Sequence, residues 1–288
     1  MRTLTAILVL ATLVLAAPTP TDARTRTTGS KGRYAKVNGV EMYYEIHGKG
    51  RPLLLIHGAF CTIDGCFGKL VKLLSRSRQV IAVELQGHGH TADIDRPLST
   101  AAMADDVAAL LDELHVAQAD VYGYSMGGSV AAQLAIRHPR RVRRVVFAGA
   151  ALTAKGAQPG TAKMIRSLDP RMMENTPWHR EYLKTSPHPE KFRTLVKKIQ
   201  GLDSLDGFAL DDLLKIRVPV RFLLGDADYG TVEHGAEILR LYGGGGFGDT
   251  GAPRARSQLA ILPGTSHVDL IARADWIAQL VTPFLDAK

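Results

Sequence analysis

The spacing of apolar and polar positions divides the chain into short apolar runs separated by turn-forming residues. Residues 34–37 and 40–46 alternate around Asn38-Gly39. Asn-Gly between β-formers predicts a hairpin, because both residues tolerate positive φ. A polar turn from Gly48 to Pro52 leads into Leu53-Leu54-Leu55-Ile56, a run suited to a parallel strand buried on both sides. Residues 79–85 form the next apolar strand. A helix is predicted over 99–115, with Met103, Val107, Leu110, Leu111 and Leu114 on one face and Ser99 or Thr100 as its cap. Strand 120–124, helix 126–138, strands 142–148 and 218–224, helix 231–242, strand 258–262 and helix 269–284 follow. Strands alternating with helices in this way predict an α/β fold, a mostly parallel sheet with helices on both faces.

Three stretches break the rhythm. Residues 152–214 carry many charges and several prolines but no strand pattern, which predicts a helical cap insertion over the sheet. Gly243 to Gly246, followed by Phe247-Gly248-Asp249, reads as a surface loop, since it lacks the lysine and preceding strand of a phosphate-binding loop. At the start, Arg2 precedes an apolar run from Leu4 to Ala17 that is shorter than the roughly 20 residues of a membrane-spanning helix. It reads as a signal peptide over 1–23, cleaved after Ala23 or after Ala17, with an uncleaved anchor as the alternative. The expected protein is therefore exported, periplasmic or secreted, with no stable membrane insertion after cleavage. Residues 24–33 read as a flexible arm, and 34–288 as one domain.

Composition changes this picture little. Of 288 residues, 45% are apolar and 22% charged, a balance that suggests neither disorder nor a fibre. The net charge of +8 concentrates at Arg137, Arg140, Arg141, Arg143 and Arg144. No aromatic residues interleave with them and no nucleic-acid fold signature accompanies them, so nucleic acid is not an expected partner. The cluster reads as a solvated helix-to-strand connection, with loose attraction to an anionic polymer as the most it would offer. Cys61 and Cys66, five positions apart, read either as a disulfide in an oxidising compartment or as two buried thiols.

The candidate chemistry centres on Gly123-Tyr124-Ser125-Met126-Gly127, a G-x-S-x-G motif. Alone the motif is weak, since average residue usage would place one in a chain this long by chance about one time in ten. Here the β-run of Val121 and Tyr122 precedes it and Gly128-Ser129-Val130-Ala131 continues as a helix, the strand–turn–helix that a nucleophile elbow needs. A serine hydroxyl is a poor nucleophile until a base takes its proton. His267, after the strand end and Pro263-Gly264 turn, sits where that base belongs, at the carboxyl edge of a parallel sheet. Asp228, past the turn that ends strand 218–224, is the candidate acid, with Asp226 as second choice. His57 reads as structural. The Gly58 turn after the buried strand nominates the Ala59 backbone N–H, with that of Met126, as an oxyanion hole. A core of this size needs no metal to hold it, and none is expected.

Tyr43-Tyr44-Glu45-Ile46-His47-Gly48, Leu54-Leu55-Ile56-His57-Gly58-Ala59-Phe60, Glu84-Leu85-Gln86-Gly87-His88-Gly89, the serine motif, Gly225-Asp226-Ala227-Asp228 and Pro263-Gly264-Thr265-Ser266-His267 occur in that order. Together they resemble the α/β-hydrolase fold superfamily, nearest its esterase, cofactor-free haloperoxidase and C–C hydrolase branch. The resemblance implies the Ser125–His267–Asp228 triad, the cap from residue 152, and no cofactor. The chain departs from the pattern at Glu84-Leu85-Gln86, where the family usually has an acidic residue and an arginine, and at Thr91, where serine is common. The expected activity is hydrolysis of a small-molecule carboxylic ester through an acyl-enzyme on Ser125. The alternatives are perhydrolysis at the same site, or a ligand-binding protein that retains the fold without turnover.

Overall fold

The computed structural model describes residues 32–249, 255 and 257–287. The segment read as a signal peptide and nearly all of the following arm lie outside the described residues. The described strands are β1 (Arg33–Val37), β2 (Val40–His47), β3 (Arg51–Ile56), β4 (Arg78–Val83), β5 (Ala119–Tyr124), β6 (Val142–Ala148), β7 (Val220–Ala227) and β8 (Gln258–Ser266). They form one sheet in the order β1-β2-β4-β3-β5-β6-β7-β8, parallel from β4 through β8, with β1 and β2 antiparallel at one edge. The β1–β2 hairpin turns at Asn38 (φ 47°) and Gly39 (φ 85°), both positive as a tight two-residue turn between twisted strands requires.

Burial follows the period-2 alternation of the central strands. Leu54 and Ile56 of β3 face one core, which they share with α2 (Thr100–Glu113) and α3 (Met126–Arg137); Leu53 and Leu55 face a second, and all four are fully buried. The second core is filled by α1 (Ile63–Leu74) and by the closing helix. Helix α1 escaped the sequence reading because Gly65 and Gly68 interrupt its pattern. Its signals are nonetheless present: Thr62 caps it by accepting from the Gly65 N–H, and Ile63, Cys66, Phe67, Leu70, Val71 and Leu74 are buried on one face.

Between β6 and β7, the residues read as a cap contain α4 (Thr161–Arg166), α5 (Pro177–Thr185), α6 (Phe192–Gln200) and α7 (Leu210–Leu213), joined by 3₁₀ turns. After β7 comes α8 (Val232–Leu241). The closing helix is two pieces rather than one, α9 (Asp269–Ala272) and α10 (Ala274–Asp286), separated at Arg273. Among the described residues no helix is long and apolar enough to cross a membrane.

The arginine cluster is not a free cationic surface. Arg137 pairs with Asp105 at 2.6 Å, Arg141 with Asp112, and Arg143 with the buried Asp120 at 2.6 Å. Arg143 also donates to the Leu285 carbonyl and Arg144 to that of Ala287, while Arg221 from β7 donates to that of Leu280. Three guanidiniums thus satisfy carbonyls along and just beyond the last turns of α10, where the helix dipole favours positive charge. Asp120 is held from the other side by Arg78 at 2.7 Å, itself only 1% exposed. Removing one member of such a pair leaves an uncompensated buried charge. Asp120→Ala should therefore destabilise the fold by about 3–5 kcal/mol, read as a drop in the urea midpoint. A change within experimental error would show that the pair is not needed to hold the lower sheet edge.

Candidate functional site

Ser125 sits between the end of β5 and the first residue of α3 with φ 55° and ψ −122°, a conformation that residues with a Cβ rarely adopt. Two neighbours allow it. A Cβ on Gly123 would stand 2.2 Å from the Gly127 carbonyl oxygen, and one on Gly127 would stand 2.1 Å from that of Ile56. The turn is closed by the Ser125 N–H, which donates to the Ala148 carbonyl on β6 at 2.9 Å. The side chain consequently stands at the carboxyl edge of the sheet, at the N-terminus of α3.

His267, 142 positions along the chain from Ser125, and Asp228, 39 positions from His267, converge there. His267 Nε2 lies 3.0 Å from Ser125 Oγ, and His267 Nδ1 lies 2.8 Å from Asp228 Oδ1. The Asp228 side chain is fully buried and also accepts from the Tyr229 N–H at 2.7 Å. A carboxylate on Nδ1 fixes the tautomer, so Nε2 carries the free lone pair and accepts the serine proton. Asp226 faces elsewhere: it accepts from the Gly264 and Thr265 N–H groups at 3.0 Å each, bonds that hold its carboxyl below the usual range. Its place is to clasp β8, which runs through Pro263-Gly264 to Ser266 rather than ending at Leu262.

The loop after β3 lies against the serine. A Cβ on Gly58 would be 2.9 Å from Ser125 Cβ. His57 Nδ1 contacts the Gly58 carbonyl at 2.7 Å and Nε2 accepts from the Leu85 N–H at 3.1 Å, which assigns the proton to Nδ1. The carbonyl of Gly58 and the N–H of Ala59 belong to one planar trans peptide and point oppositely. Anchoring the carbonyl on His57 therefore turns the Ala59 N–H away from that ring. Met126, as the first residue of α3, has no intrahelical acceptor for its N–H. A disulfide joins Cys61 to Cys66 and ties this loop to the first turn of α1.

Two aromatic residues that the sequence reading did not single out frame the histidine. The Tyr124 ring stacks on the His267 ring at 5.1 Å between centroids, and its hydroxyl donates to the His267 carbonyl at 2.8 Å. Tyr229 meets the same ring edge-to-face at 4.6 Å. Adjacency was the available signal, since Tyr124 lies inside the serine motif and Tyr229 follows Asp228.

The departures from the family pattern find partners here. Glu84 is buried and accepts from the Ile63 and His90 N–H groups at 3.0 and 2.6 Å. Thr91 Oγ1 donates to the Glu84 carbonyl and accepts from the Tyr43 N–H. Gln86 accepts from Arg96 Nε at 2.6 Å and donates to Asp93 at 2.8 Å, so Arg96 supplies a guanidinium ten residues downstream. The same Asp93 receives Lys198 from α6, whose ammonium also donates to the carbonyls of Ile94 and Arg96 at 2.8 Å. Asp203 accepts from the Thr100 N–H and hydroxyl at the N-terminus of α2. Phe192 packs on Phe60, one residue beyond Ala59, at 6.2 Å. Within the cap, Tyr182 is buried and Ile165 and Met173 pack on the core, whereas Met164 and Met172 are more than half exposed. Among the described residues no cluster of three or more His, Cys, Asp or Glu could hold a metal.

Burial, reinforced by the neighbouring His88 ring, pushes His57 down to about 3; burial pushes His88 down to about 4. His234 is lowered by burial as well, while His90 is raised by its hydrogen bond to Glu84. The three lowered groups bind protons in the unfolded chain before the folded one, so their stabilisation is complete above the ordinary value and lost as pH falls toward 4. His90 acts oppositely: its contribution is present in acid and lost as pH rises through its raised value. Three against one, the urea midpoint should fall between about pH 7 and about pH 4.5 with proton uptake on unfolding. A flat or rising midpoint would contradict the neutral assignment of the buried rings.

A sequence profile of the alpha/beta hydrolase fold matches residues 51–231. The chain is 36% identical over 151 residues to 2-hydroxymuconate semialdehyde hydrolase of Pseudomonas sp. (strain CF600), a match covering 48% of this chain and 53% of that protein. It thus spans about half the length of that relative. It is 29% identical over 259 residues to pimeloyl-[acyl-carrier protein] methyl ester esterase of Neisseria meningitidis serogroup B (strain MC58), covering 82% of this chain and 93% of that one. In structure it is similar to the enol-lactonase of Burkholderia xenovorans LB400, with a TM-score of 0.68 and 24% identity over 88% of this chain and 100% of that one.

Proposed function

The chain belongs to the α/β-hydrolase fold family, and from that premise we propose that it is a serine hydrolase of carboxylic esters that works through an acyl-enzyme on Ser125. The observation that carries the reading is the continuous contact from Asp228 Oδ1 through the His267 ring to Ser125 Oγ, at 2.8 and 3.0 Å. Both distances lie within hydrogen-bond reach for a nucleophile, its base and the group that orients the base.

In this mechanism His267 Nε2 takes the Ser125 proton as Oγ attacks the substrate carbonyl. The Ala59 and Met126 N–H groups receive the oxyanion, and the first of these is oriented by the His57 anchor on Gly58. The imidazolium, stabilised by Asp228, returns its proton to the departing alcohol. Water, deprotonated by the same nitrogen, then attacks the acyl carbon, and Oγ leaves with the proton back on it. Every step uses one base in two directions, which explains why a single histidine is enough.

The apolar leader from Leu4 to Ala17 and the Cys61–Cys66 disulfide, a bond that persists in oxidising compartments, support an exported protein. N-terminal sequencing of protein from the periplasm or medium of a bacterial host should show the leader removed. Full-length chain retained in the cytoplasm would overturn this.

A fluorophosphonate probe should label the wild type and leave Ser125→Ala unlabelled. Asp228→Asn, which leaves the imidazole in the wrong tautomer, should lower kcat by about three to four orders of magnitude. Well-folded wild type that resists the probe and turns over no p-nitrophenyl ester or lactone would instead support a ligand-binding protein on a retained fold.

A further inference from the structure

Tyr124 is the last residue of β5, and its carbonyl forms the peptide bond with the Ser125 nitrogen. Its side chain is buried in the second core, where close packing leaves the ring little freedom to turn. From that fixed root it reaches the base. The ring lies nearly parallel to the His267 imidazole, with 18° between planes and 5.1 Å between centroids. The hydroxyl donates to the His267 carbonyl at 2.8 Å. Burial, reinforced by the charge of Asp228, raises the phenol above its ordinary value, so it keeps the proton it donates. The same ring lies against the loop after β3, because a Cβ on Gly58 would stand 3.1 Å from its Cδ1 and Cε1 atoms.

His267 needs such support. It stands in the short turn between β8 and α9, and its side chain is partly exposed. The Asp228 bond at Nδ1 sets the tautomer, yet one hydrogen bond leaves the ring plane free to pivot about it. Tyr124 restrains both parts of the residue: its hydroxyl holds the backbone and its face holds the ring plane. Tyr229 also meets this ring, edge-to-face, but Tyr124 is bonded directly into the peptide of the nucleophile.

We propose that Tyr124 is a positioning residue for the proton transfer, a rigid strut that sets the separation of Ser125 Oγ and His267 Nε2. This rests on the acyl-enzyme reading and deepens it. Base and nucleophile are 142 positions apart along the chain. Through Tyr124 the path between them is one peptide bond, one immobile side chain and one hydrogen bond. A misplacement of about 1 Å can cost about a hundredfold in rate, so a short stiff path matters. The aromatic face adds a second effect. Before reaction the two rings stack as neutral groups. Once Nε2 has taken the serine proton, the imidazolium lies on the negative face of the phenol and is attracted to it. That attraction accompanies the transition state and not the bound substrate, so it lowers the barrier without tightening binding. Tyr124 keeps its own proton throughout.

The test is the time course of fluorophosphonate labelling, run to completion on wild type, Tyr124→Phe, Tyr124→Leu and Ser125→Ala. Attack of Oγ on phosphorus needs the same proton transfer to His267, so the rate reports alignment, and the end-point counts intact sites. Tyr124→Phe keeps the stack and loses the bond to the His267 carbonyl. It should reach the wild-type end-point about tenfold more slowly, the upper range for one neutral hydrogen bond. Tyr124→Leu also loses the aromatic face and should be slower by about a further fivefold. For p-nitrophenyl acetate, kcat/KM should fall in the same ratios, because it reports acylation. A wild-type labelling rate in Tyr124→Phe would overturn the proposal, and joined to a reduced end-point it would show a purely structural role. A Tyr124→Leu rate equal to that of Tyr124→Phe would overturn the role given to the ring. Wild type that takes no more label than Ser125→Ala would overturn the acyl-enzyme reading itself and this proposal with it.

Discussion

The backbone at Ser125 is held at φ 55° and ψ −122°, and it stays there only because three strands crowd around it. The β5 end supplies Gly123, β6 accepts the serine N–H at Ala148, and the carbonyl of Ile56 on β3 presses on Gly127. Such conformations persist when the surroundings over-determine them. The sheet order explains how this is possible: β3, β5 and β6 are adjacent, so the turn is pinned from both sides, and β7 and β8 then deliver Asp228 and His267 along the same carboxyl edge. The two cores beneath, built on Leu53 through Ile56, give the rigid floor that this strain needs.

Charge is arranged by edge. At the amino ends of the strands, Arg78, Arg143, Arg144 and Arg221 pair with Asp120 or hold the end of α10. At the carboxyl ends, burial keeps His57 and His88 neutral. His57 illustrates how a group with no part in proton transfer still shapes the site, because its anchor on Gly58 decides which way the next N–H points. Ordinary peptide planarity transmits that choice.

Much of this was legible in the sequence where one residue type serves one local geometry. Asn38-Gly39 announced its turn, Leu53 to Ile56 its buried strand, and Gly123 and Gly127 their elbow. The order of motifs carried Ser125, Asp228 and His267 to candidate status, and the coordinates bring all three within hydrogen-bond distance. What stayed hidden depends on long-range placement. Helix α1 was masked by its glycines. The fate of the arginines was invisible because their partners, Asp105, Asp112, Asp120 and the last carbonyls of α10, lie 23 to 143 residues away. Tyr124 and Tyr229 gave no signal of their own, since only the tertiary fold sets their rings on His267.

The fastening of the cap is lopsided. Lys198 and Asp203 bolt its later half to the body, one to the 93–96 loop and the other to the start of α2, and neither contact involves the serine, the histidine or the acid. The earlier half, α4 and α5, packs on the later one through the buried Tyr182 against Phe192, and its ion pairs to it, Arg166–Asp206 and Arg193–Glu174, are largely exposed. Substitutions at those exposed pairs can therefore loosen one half of the insertion while Lys198 and Asp203 keep the other half fastened and Ser125, His267 and Asp228 keep their places.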